Sequence, residues 1–558
     1  MDIRKLKSGT DIRGVAIGEG ITLSKEAAKR LALGFAMFLE QRGNVSNRRG
    51  GRSRPLVIAI GHDSRLSAKD ISDAAIEGLM YKCGEVYFCG LSSTPAMFMT
   101  TVLNDCDGAI MLTASHHPKN RNGFKFFTKD GGISKTDLDE IIKLAEGLEF
   151  THDNNEATLI KKDFLENYCQ HMKDYFIREL GSEKPLKGYK VAVDAGNGAA
   201  GFYATRILQP LGADISSSQF LDPDGNFPNH VPNPEDKEAI ESISKRVVDA
   251  GSDLGIIFDT DGDRSAIVLK DGKEVNRNRL IALSAAIVIE EERERCHLAA
   301  ANHPAPCQEV FVGHPSTGGE FYANRQSTNY QSTNRQPSTT GKGDPSALLG
   351  SVQDDNTPLC TSRQPIIVTD SVTSEGLKEF IEKLGAVHIR YKRGYQNVIG
   401  YAKKLCDEGH NAPLAIETSG HGALRENYFL DDGAYLAAKI LIKAIKLKRE
   451  GKDLNYLIKD LKEPLEEKAF RLSLGGENWR KTGAEVLGRL EELGKKYRVA
   501  EDSHEGIRVY LEGGFFMARM SVHDPVVAVN LETDNVGGVA RIEGILRDAL
   551  KGIDGINF

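Results

Sequence analysis

Short apolar, β-branched runs recur along this chain at 56–60, 109–112, 191–193, 254–258, 366–368 and 414–416, with amphipathic segments of helical period between them. Runs this short suit buried strands and are too brief for buried helices. Each ends in Gly, Asp, Ser or Thr before a helical pattern resumes, as at Val193-Asp194-Ala195-Gly196-Asn197-Gly198 and Val368-Thr369-Asp370-Ser371. Strand, polar turn and helix in repetition predict α/β domains with mostly parallel sheets covered by helices on both faces. Function is then expected in the loops at one sheet edge.

At 558 residues the chain is too long for a single core, so roughly three or four domains are expected. Two stretches break the strand–helix rhythm. Residues 41–55 are rich in Arg, Gly, Asn and Ser and read as a mobile surface loop. From about 299 to 364 the chain is polar and nearly repeats itself, Asn324-Arg325-Gln326-Ser327-Thr328-Asn329 being echoed by Tyr330-Gln331-Ser332-Thr333-Asn334-Arg335-Gln336. So little apolar surface cannot offset chain entropy, and a disordered insertion is expected there. Near the C-terminus the strand candidates 471–474, 506–511 and 526–530, with an amphipathic helix at about 483–496, predict a small α+β domain.

Lys plus Arg number 72 against 79 Asp plus Glu, a formal net charge of −7, which gives no basic field of the kind that holds nucleic acid. The 8 cysteines include no CxxC pair and no zinc-type spacing, so reduced, intracellular thiols are expected. No apolar stretch approaches the roughly 20 residues that span a bilayer, and Met1-Asp2-Ile3-Arg4-Lys5 leads into polar residues. A soluble, cytoplasmic protein is expected, or one of an organelle such as a plastid if a transit peptide was removed.

Two loops carry the chemistry. Asp259-Thr260-Asp261-Gly262-Asp263-Arg264 follows the apolar run 254–258, and its alternate aspartates, Asp259, Asp261 and Asp263, converge if the backbone curls. Hard carboxylate oxygens so arranged suit Mg²⁺ or a similar cation. An EF-hand needs Gly at the sixth position and Glu at the twelfth, where this loop has Arg264 and Lys270, so the calcium-loop reading fails. The other loop, Thr113-Ala114-Ser115-His116-His117-Pro118, follows the run 109–112. No G-x-S-x-G elbow surrounds Ser115, which leaves phosphoryl transfer beside a cation, or simply a helix cap, as its use. His116 either positions a phosphoryl group or closes the turn. Lys125, in Asn122-Gly123-Phe124-Lys125, reads as an acid/base group or phosphate contact, against an exposed lysine on a strand.

These residues resemble the α-D-phosphohexomutases, which include phosphoglucomutases, phosphomannomutases and phosphoglucosamine mutases. The likeness begins at Gly9-Thr10-Asp11-Ile12-Arg13-Gly14 and continues through Gly61-His62-Asp63-Ser64-Arg65, the serine loop and Asn122-Gly123-Phe124-Lys125. It then runs through Asp224-Gly225-Asn226-Phe227-Pro228-Asn229-His230, Pro232-Asn233-Pro234-Glu235, the aspartate loop and Glu417-Thr418-Ser419-Gly420-His421. The resemblance implies four domains around a central cleft, three α/β mixed-sheet domains and a C-terminal α+β domain. Their expected spans are 1–180 with the phosphoserine loop, 181–292 with the metal loop, 293–465 with the sugar-recognition loop and the insertion, and 466–558 with a phosphate-binding loop.

It also implies a phosphorylated Ser115 that exchanges its group with a hexose phosphate, moving phosphate between O1 and O6 through a hexose 1,6-bisphosphate, which also serves as activator. By the same resemblance Asp259, Asp261, Asp263 and the Ser115 oxygen hold Mg²⁺, while Arg13 and Arg264 contact phosphate or sugar. Lys125 and His421 become candidate general acid and base, Glu417 and Ser419 bind sugar hydroxyls, and Lys392 lines the cleft. Taken singly, Arg13 reads equally as a surface ion pair, Glu417 as the cap of a helix its loop opens, and His421 as a turn residue. The family's phosphate loop, R-x-S-G/N-T-E-P, is altered here to Arg519-Met520-Ser521-Val522-His523-Asp524-Pro525. Arg519 and Ser521 are kept, but branched Val522 restricts the backbone and His523 lacks the hydroxyl. Two further readings follow: a sugar-phosphate-binding protein with weakened catalysis, and a phosphoglucosamine mutase. The partners expected are small-molecule hexose phosphates, with no nucleic acid and no membrane; monomer and dimer both stay open.

Overall fold

The computed structural model describes residues 2–43, 55–148, 157–302, 364–476, 478–500, 503–521 and 524–558, the side chains of 299–302 excepted. Most of the loop expected at 41–55, nearly all of the insertion expected at about 299–364, and both Val522 and His523 lie outside the described residues. Met1–Glu292 with Gln364–Phe558 form one compact unit, which carries every described sheet; Arg293–Arg363 form a second.

In the first sheet the strands run in the order Lys7–Ser8, Asp11–Val15, Arg121–Thr128, Gly108–Leu112, Val57–His62, Glu85–Leu91, Thr158–Lys161. The last four are parallel to one another, and the first three join them antiparallel. Side chains alternate across the pleat, and here both faces are buried. Ile58, Ile60, Ile110 and Leu112 pack on one side with the helices Lys25–Gln41, Ala68–Leu79 and Lys135–Glu146. Ala59, Ala109 and Met111 pack on the other with Thr94–Leu103 and Phe164–Leu180. The same alternation sends Phe124 and Phe126 into the first core and turns Lys125, between them, toward the opposite face.

A second sheet runs Glu274–Val275, Ser265–Leu269, Leu254–Phe258, Val191–Asp194, and a third runs Val387–Tyr391, Ile366–Asp370, Leu414–Ile416, Gly422–Leu424, Leu430–Asp431. Each repeats the plan of the first, a parallel core extended by antiparallel strands. One apolar core links all three, from Met111 through Val193 and Phe258 to Ile367 and Leu414. The fourth sheet is antiparallel throughout and has its own core under the helices Trp479–Gly494 and Gly538–Ala549. Its strand Val526–Thr533 alternates buried and half-buried along its length, as a one-sided sheet requires. Among the described residues no helix is long and apolar enough to cross a membrane.

One expectation is corrected here. Strand, turn and helix were anticipated after each apolar run, yet three of these runs turn straight back as antiparallel strands. Gly108–Leu112 returns as Arg121–Thr128, Leu254–Phe258 as Ser265–Leu269, and Leu414–Ile416 as Gly422–Leu424. Of these returning strands, Arg121–Thr128 breaks up its apolar residues with Arg, Asn, Gly and Lys and Gly422–Leu424 is three residues long, while Ser265–Leu269 carries an apolar run at 266–269 that the strand–helix rhythm passed over. Ser115 and Glu417 therefore cap no helix; they occupy reversals at the carboxyl ends of buried strands.

Candidate active site

The serine and aspartate reversals meet face to face. Ser115 is 5 % exposed, and its Oγ donates to Asp259 Oδ2 at 2.9 Å while accepting from Arg264 Nη2 at 2.9 Å. Its backbone has φ of 49°, a left-handed conformation costing a non-glycine residue roughly 1–2 kcal/mol. The loop offsets this cost with fixed partners: Ser115 N–H donates to Thr113 Oγ1 at 2.8 Å, and Arg13 Nη1 donates to the Thr113 carbonyl at 2.7 Å. Arg13 is in turn paired with Asp11, Nη2 to Oδ2, at 2.7 Å. That pair is largely buried, so Arg13 is no ordinary surface ion pair.

The aspartate loop is shaped by its own amides. Asp259 Oδ1 accepts from Gly262 N at 3.1 Å and Arg264 N at 3.2 Å, curling the chain around it. Gly262 sits at φ of 74°, where a side chain would add strain. Asp261 Oδ2 accepts from Thr94 Oγ1 at 2.5 Å and lies 3.1 Å from Lys125 Nζ; Lys125 also pairs with Asp263. Lys125 is 4 % exposed, so the solvated-lysine reading is overturned. Burial works against its charge, but Asp261 and Asp263 outweigh that and raise its pKa well above the ordinary value. Carboxylate oxygens of Asp259, Asp261 and Asp263 all lie within 4.8 Å of one another.

Arg264, itself buried, reaches Asp259 through Nε at 3.1 Å and His116 Nδ1 through Nη2 at 2.7 Å. His116 Nδ1 is 3.4 Å from Ser115 Oγ and its ring stacks on His117. Burial first, then Arg264, depress the His116 imidazole to about 3. His421 closes the far side: its Nδ1 lies 2.5 Å from Asp431 Oδ2 and 4.0 Å from Asp263 Oδ1. Burial disfavours its charge, but Asp431 and Asp263 prevail and raise it to about 9. A backbone bridge between Arg264 and His421 ties the two reversals together.

The remaining sequence candidates form a second neighbourhood. Glu417 Oε1 accepts from Gly394 N at 2.6 Å, and Ser419 is half-buried at the tip of the same reversal. Lys392 is exposed; its neighbour Arg393 is the one turned inward, with Nε 3.9 Å from Asp370 Oδ2. Thr418 Oγ1 donates to that same Asp370 oxygen at 2.7 Å. Arg519 stands one residue before the end of its strand Gly514–Met520, with Asp370, Glu505 and Arg393 as charged neighbours. Ser521 Oγ accepts from Asp524 N at 3.1 Å. Thus Ser115, His116, Lys125, Arg13, Arg264, the aspartates and His421 share one network, and Glu417 adjoins it through its backbone N–H, which donates to the His421 carbonyl at 2.9 Å.

Sequence reading missed Thr94, Tyr395, Asp431 and Arg393. Tyr395 stacks on His421 at 5.0 Å between ring centroids, and its hydroxyl donates to Asp11 at 3.2 Å. Arg393 had a signal, its place beside Lys392 and Gly394; Asp431 lies ten positions from His421, on the next strand, while Thr94 and Tyr395 reach the site from distant segments.

Glu417 supplies a test of the electrostatics. Burial first, then Asp370, raise its carboxyl from an ordinary 4.5 to about 7. Between those values the folded protein keeps a proton the unfolded chain has released, so this group's contribution to stability falls as pH rises through that window. A Glu417→Gln protein, whose amide oxygen keeps the Gly394 bond, is expected to gain more in unfolding midpoint over wild type at about pH 8 than at about pH 5. An equal change at both would contradict the burial of this charge.

Comparison with known proteins bears on the whole chain. It matches phosphoglucomutase/phosphomannomutase alpha/beta/alpha domain I over residues 4–152, domain II over 166–272 and domain III over 355–465. It is 26 % identical to a phosphomannomutase/phosphoglucomutase of Pseudomonas aeruginosa, covering 98 % of this chain and 95 % of that one. It is 24 % identical to a phosphoglucomutase of Neisseria gonorrhoeae over 97 % of this chain and 95 % of the relative. Its fold is similar to the crystal structure of a phosphoglucomutase/phosphomannomutase family protein from Burkholderia thailandensis, with a TM-score of 0.70, 24 % identity, and 100 % and 99 % of the two chains covered.

Proposed function

Because the chain belongs to the phosphoglucomutase/phosphomannomutase family and is an intramolecular phosphotransferase of that type, we propose that it moves phosphate between O1 and O6 of glucose and/or mannose phosphate, through a phosphorylated Ser115 and a hexose 1,6-bisphosphate. The observation that carries this reading is the position of Ser115 Oγ, 2.9 Å from both Asp259 Oδ2 and Arg264 Nη2, on the rim of the aspartate trio.

The trio suits a hard divalent cation. Its donors are all oxygens, and Asp261 Oδ1 and Asp263 Oδ1 are buried without a hydrogen-bond partner. Asp259, Asp261, Asp263 and the Ser115 oxygen would hold Mg²⁺, which when bound draws charge from phosphoryl oxygens. The protein's side chains do the rest. A hexose hydroxyl forms a bond to phosphorus as the Ser115 Oγ–phosphorus bond breaks, and Arg264 is placed to donate to the departing oxygen. Lys125 and His421 would serve as general acid and base: the hydroxyl proton passes to the member of the pair that is in its neutral form and Ser115 Oγ regains a proton from the charged one, with roles reversed when the second phosphate returns. Arg13 holds the serine loop through the Thr113 carbonyl, and His116, kept neutral, abuts Arg264. Glu417 and Ser419 would bind sugar hydroxyls, Arg519 and Ser521 the non-reacting phosphate, and Lys392 would line the cleft.

A coupled assay with glucose, mannose and glucosamine 1-phosphates, with and without hexose 1,6-bisphosphate and MgCl₂, tests the proposal. Turnover of the glucose or mannose ester that requires Mg²⁺ and is stimulated by the bisphosphate is expected. Absence of turnover with every ester under all conditions would refute it.

A further inference from the structure

We propose that Arg65 is the positioning residue for the nucleophile: it shapes the serine loop from beneath, so that Ser115 is presented to the aspartate trio in its left-handed conformation. The inference rests on the reading of Ser115 as the group that carries phosphate.

Arg65 lies at the end of the Gly61-His62-Asp63-Ser64-Arg65 segment and is 2 % exposed, a charge almost wholly withdrawn from water. A buried guanidinium must use its N–H groups. Among the described residues its carboxylate partner is Asp63: Nε stands 3.2 Å from Oδ2 as an ion pair without hydrogen-bond geometry, and neither side chain has exposed surface. Among the described residues, the hydrogen bonds of the guanidinium all go to backbone carbonyls of one short stretch. Nη1 donates to Pro118 O at 2.8 Å and Arg121 O at 2.9 Å; Nη2 donates to His117 O at 2.6 Å and to Ser115 O. Those carbonyls begin at the nucleophile itself and end where the returning strand Arg121–Thr128 starts.

Asp63 is fixed in turn. Its amide donates to Leu112 O at 3.1 Å, at the end of the strand that leads into the serine loop. The guanidinium therefore spans the loop from its entry strand to its exit strand. The second sheet's side covers it: the Phe227 ring centroid lies 5.6 Å from Cζ. Gly225 packs so closely that a Cβ would stand 2.5 Å from Leu66 N and Ser64 O. With Phe227 and Gly225 against it, Arg65 stays 2 % exposed.

The planar fork explains the residue type. The four N–H groups on Nη1 and Nη2 point in fixed directions and serve four carbonyls at once while the Nε edge faces the Asp63 carboxylate; a lysine offers three donors from a single point. Arg65→Lys keeps a charge for Asp63 but cannot hold the whole loop, so Ser115 is expected to wander from Asp259 and Arg264 while the substrate-binding groups stay in place.

The test measures kcat and KM of wild type, Arg65→Lys and Arg65→Ala with whichever hexose 1-phosphate the wild type turns over. An active wild type that becomes inactive on Ser115→Ala first secures the premise separately, and failure there indicts the phosphoserine reading alone. For Arg65→Lys, kcat is expected to fall about 100-fold with KM within about threefold, as for a small misplacement of a reacting group. Added methylguanidinium, but not methylammonium, should restore Arg65→Ala by about tenfold or more, since the vacated space takes a planar donor. Folded Arg65→Lys with kcat within about threefold of wild type would overturn the proposal. So would a kcat loss that tracks a lowered unfolding midpoint, or that is rescued equally by both cations. If Arg65→Ala does not fold, the kcat and KM of Arg65→Lys decide alone.

Discussion

Ser115→Ala is expected to lower turnover by at least about 1,000-fold, with little change in the unfolding midpoint. The hydroxyl oxygen is the only heavy atom removed; it donates to Asp259, accepts from Arg264 and stands 3.4 Å from His116 Nδ1. Asp259 keeps its bonds to the Gly262 and Arg264 amides and to Arg264 Nε, so no buried carboxylate is stranded. Alanine also removes a polar residue from a strained backbone position without relieving the strain, and the stability change should stay within about 1 kcal/mol. A structural serine would therefore show the opposite pattern, a stability loss with activity intact. The variant is checked by steady-state rates against hexose 1-phosphate and by thermal unfolding of the same preparation.

Asp261→Asn should be as damaging to rate and should act through the cation. The substitution removes a charge that faces Lys125 at 3.1 Å and Thr94 at 2.5 Å, and it disarms a buried oxygen that has no hydrogen-bond partner. A neutral amide is a weaker ligand for a hard ion, and turnover is expected to fall by about 1,000-fold or more, as when an electrostatic stabiliser of phosphoryl transfer is lost. A readout independent of activity is the shift of the unfolding midpoint on adding MgCl₂. Binding to the folded state alone stabilises wild type by about 2.7 kcal/mol at 100 times the dissociation constant; the variant should show a much smaller shift at the same concentration. An unchanged Mg²⁺ shift would place the ion elsewhere.

How much of this was legible in sequence follows from what kind of signal each feature leaves. Strands buried on both faces leave a continuous apolar run, and Leu254–Phe258 and Leu414–Ile416 appear in the structure with the bounds their runs suggest. The aspartate loop was readable because its carboxylates alternate within one tight turn. The returning strand Arg121–Thr128 was not, since it mixes Arg, Asn, Gly and Lys with its phenylalanines, and a helix was anticipated in its place. Lys125 gains its position from pleat alternation between Phe124 and Phe126, which becomes decisive only when that segment is known to be a strand. Thr94 meets Asp261 across 167 positions of chain, and Tyr395 meets Asp11 across 384; no local pattern encodes such distances. Lys392 and Arg393 are adjacent cations, and no local pattern says that Arg393 is the one whose Nε comes within 3.9 Å of Asp370. Arg65 lay inside a segment the sequence singled out, but its partners are carbonyls, which leave no mark in side-chain chemistry.

The central claim is that a single oxygen, that of Ser115, lends and reclaims the phosphoryl group beside the aspartate trio. Intact-mass and peptide mapping of wild-type protein after incubation with hexose 1,6-bisphosphate and Mg²⁺ tests it most directly. One phosphoryl group per chain, located on Ser115 and discharged when a hexose monophosphate is added, is the predicted result. An enzyme that turns over hexose phosphates while carrying no phosphoryl group, or carrying it on another residue, would contradict the account.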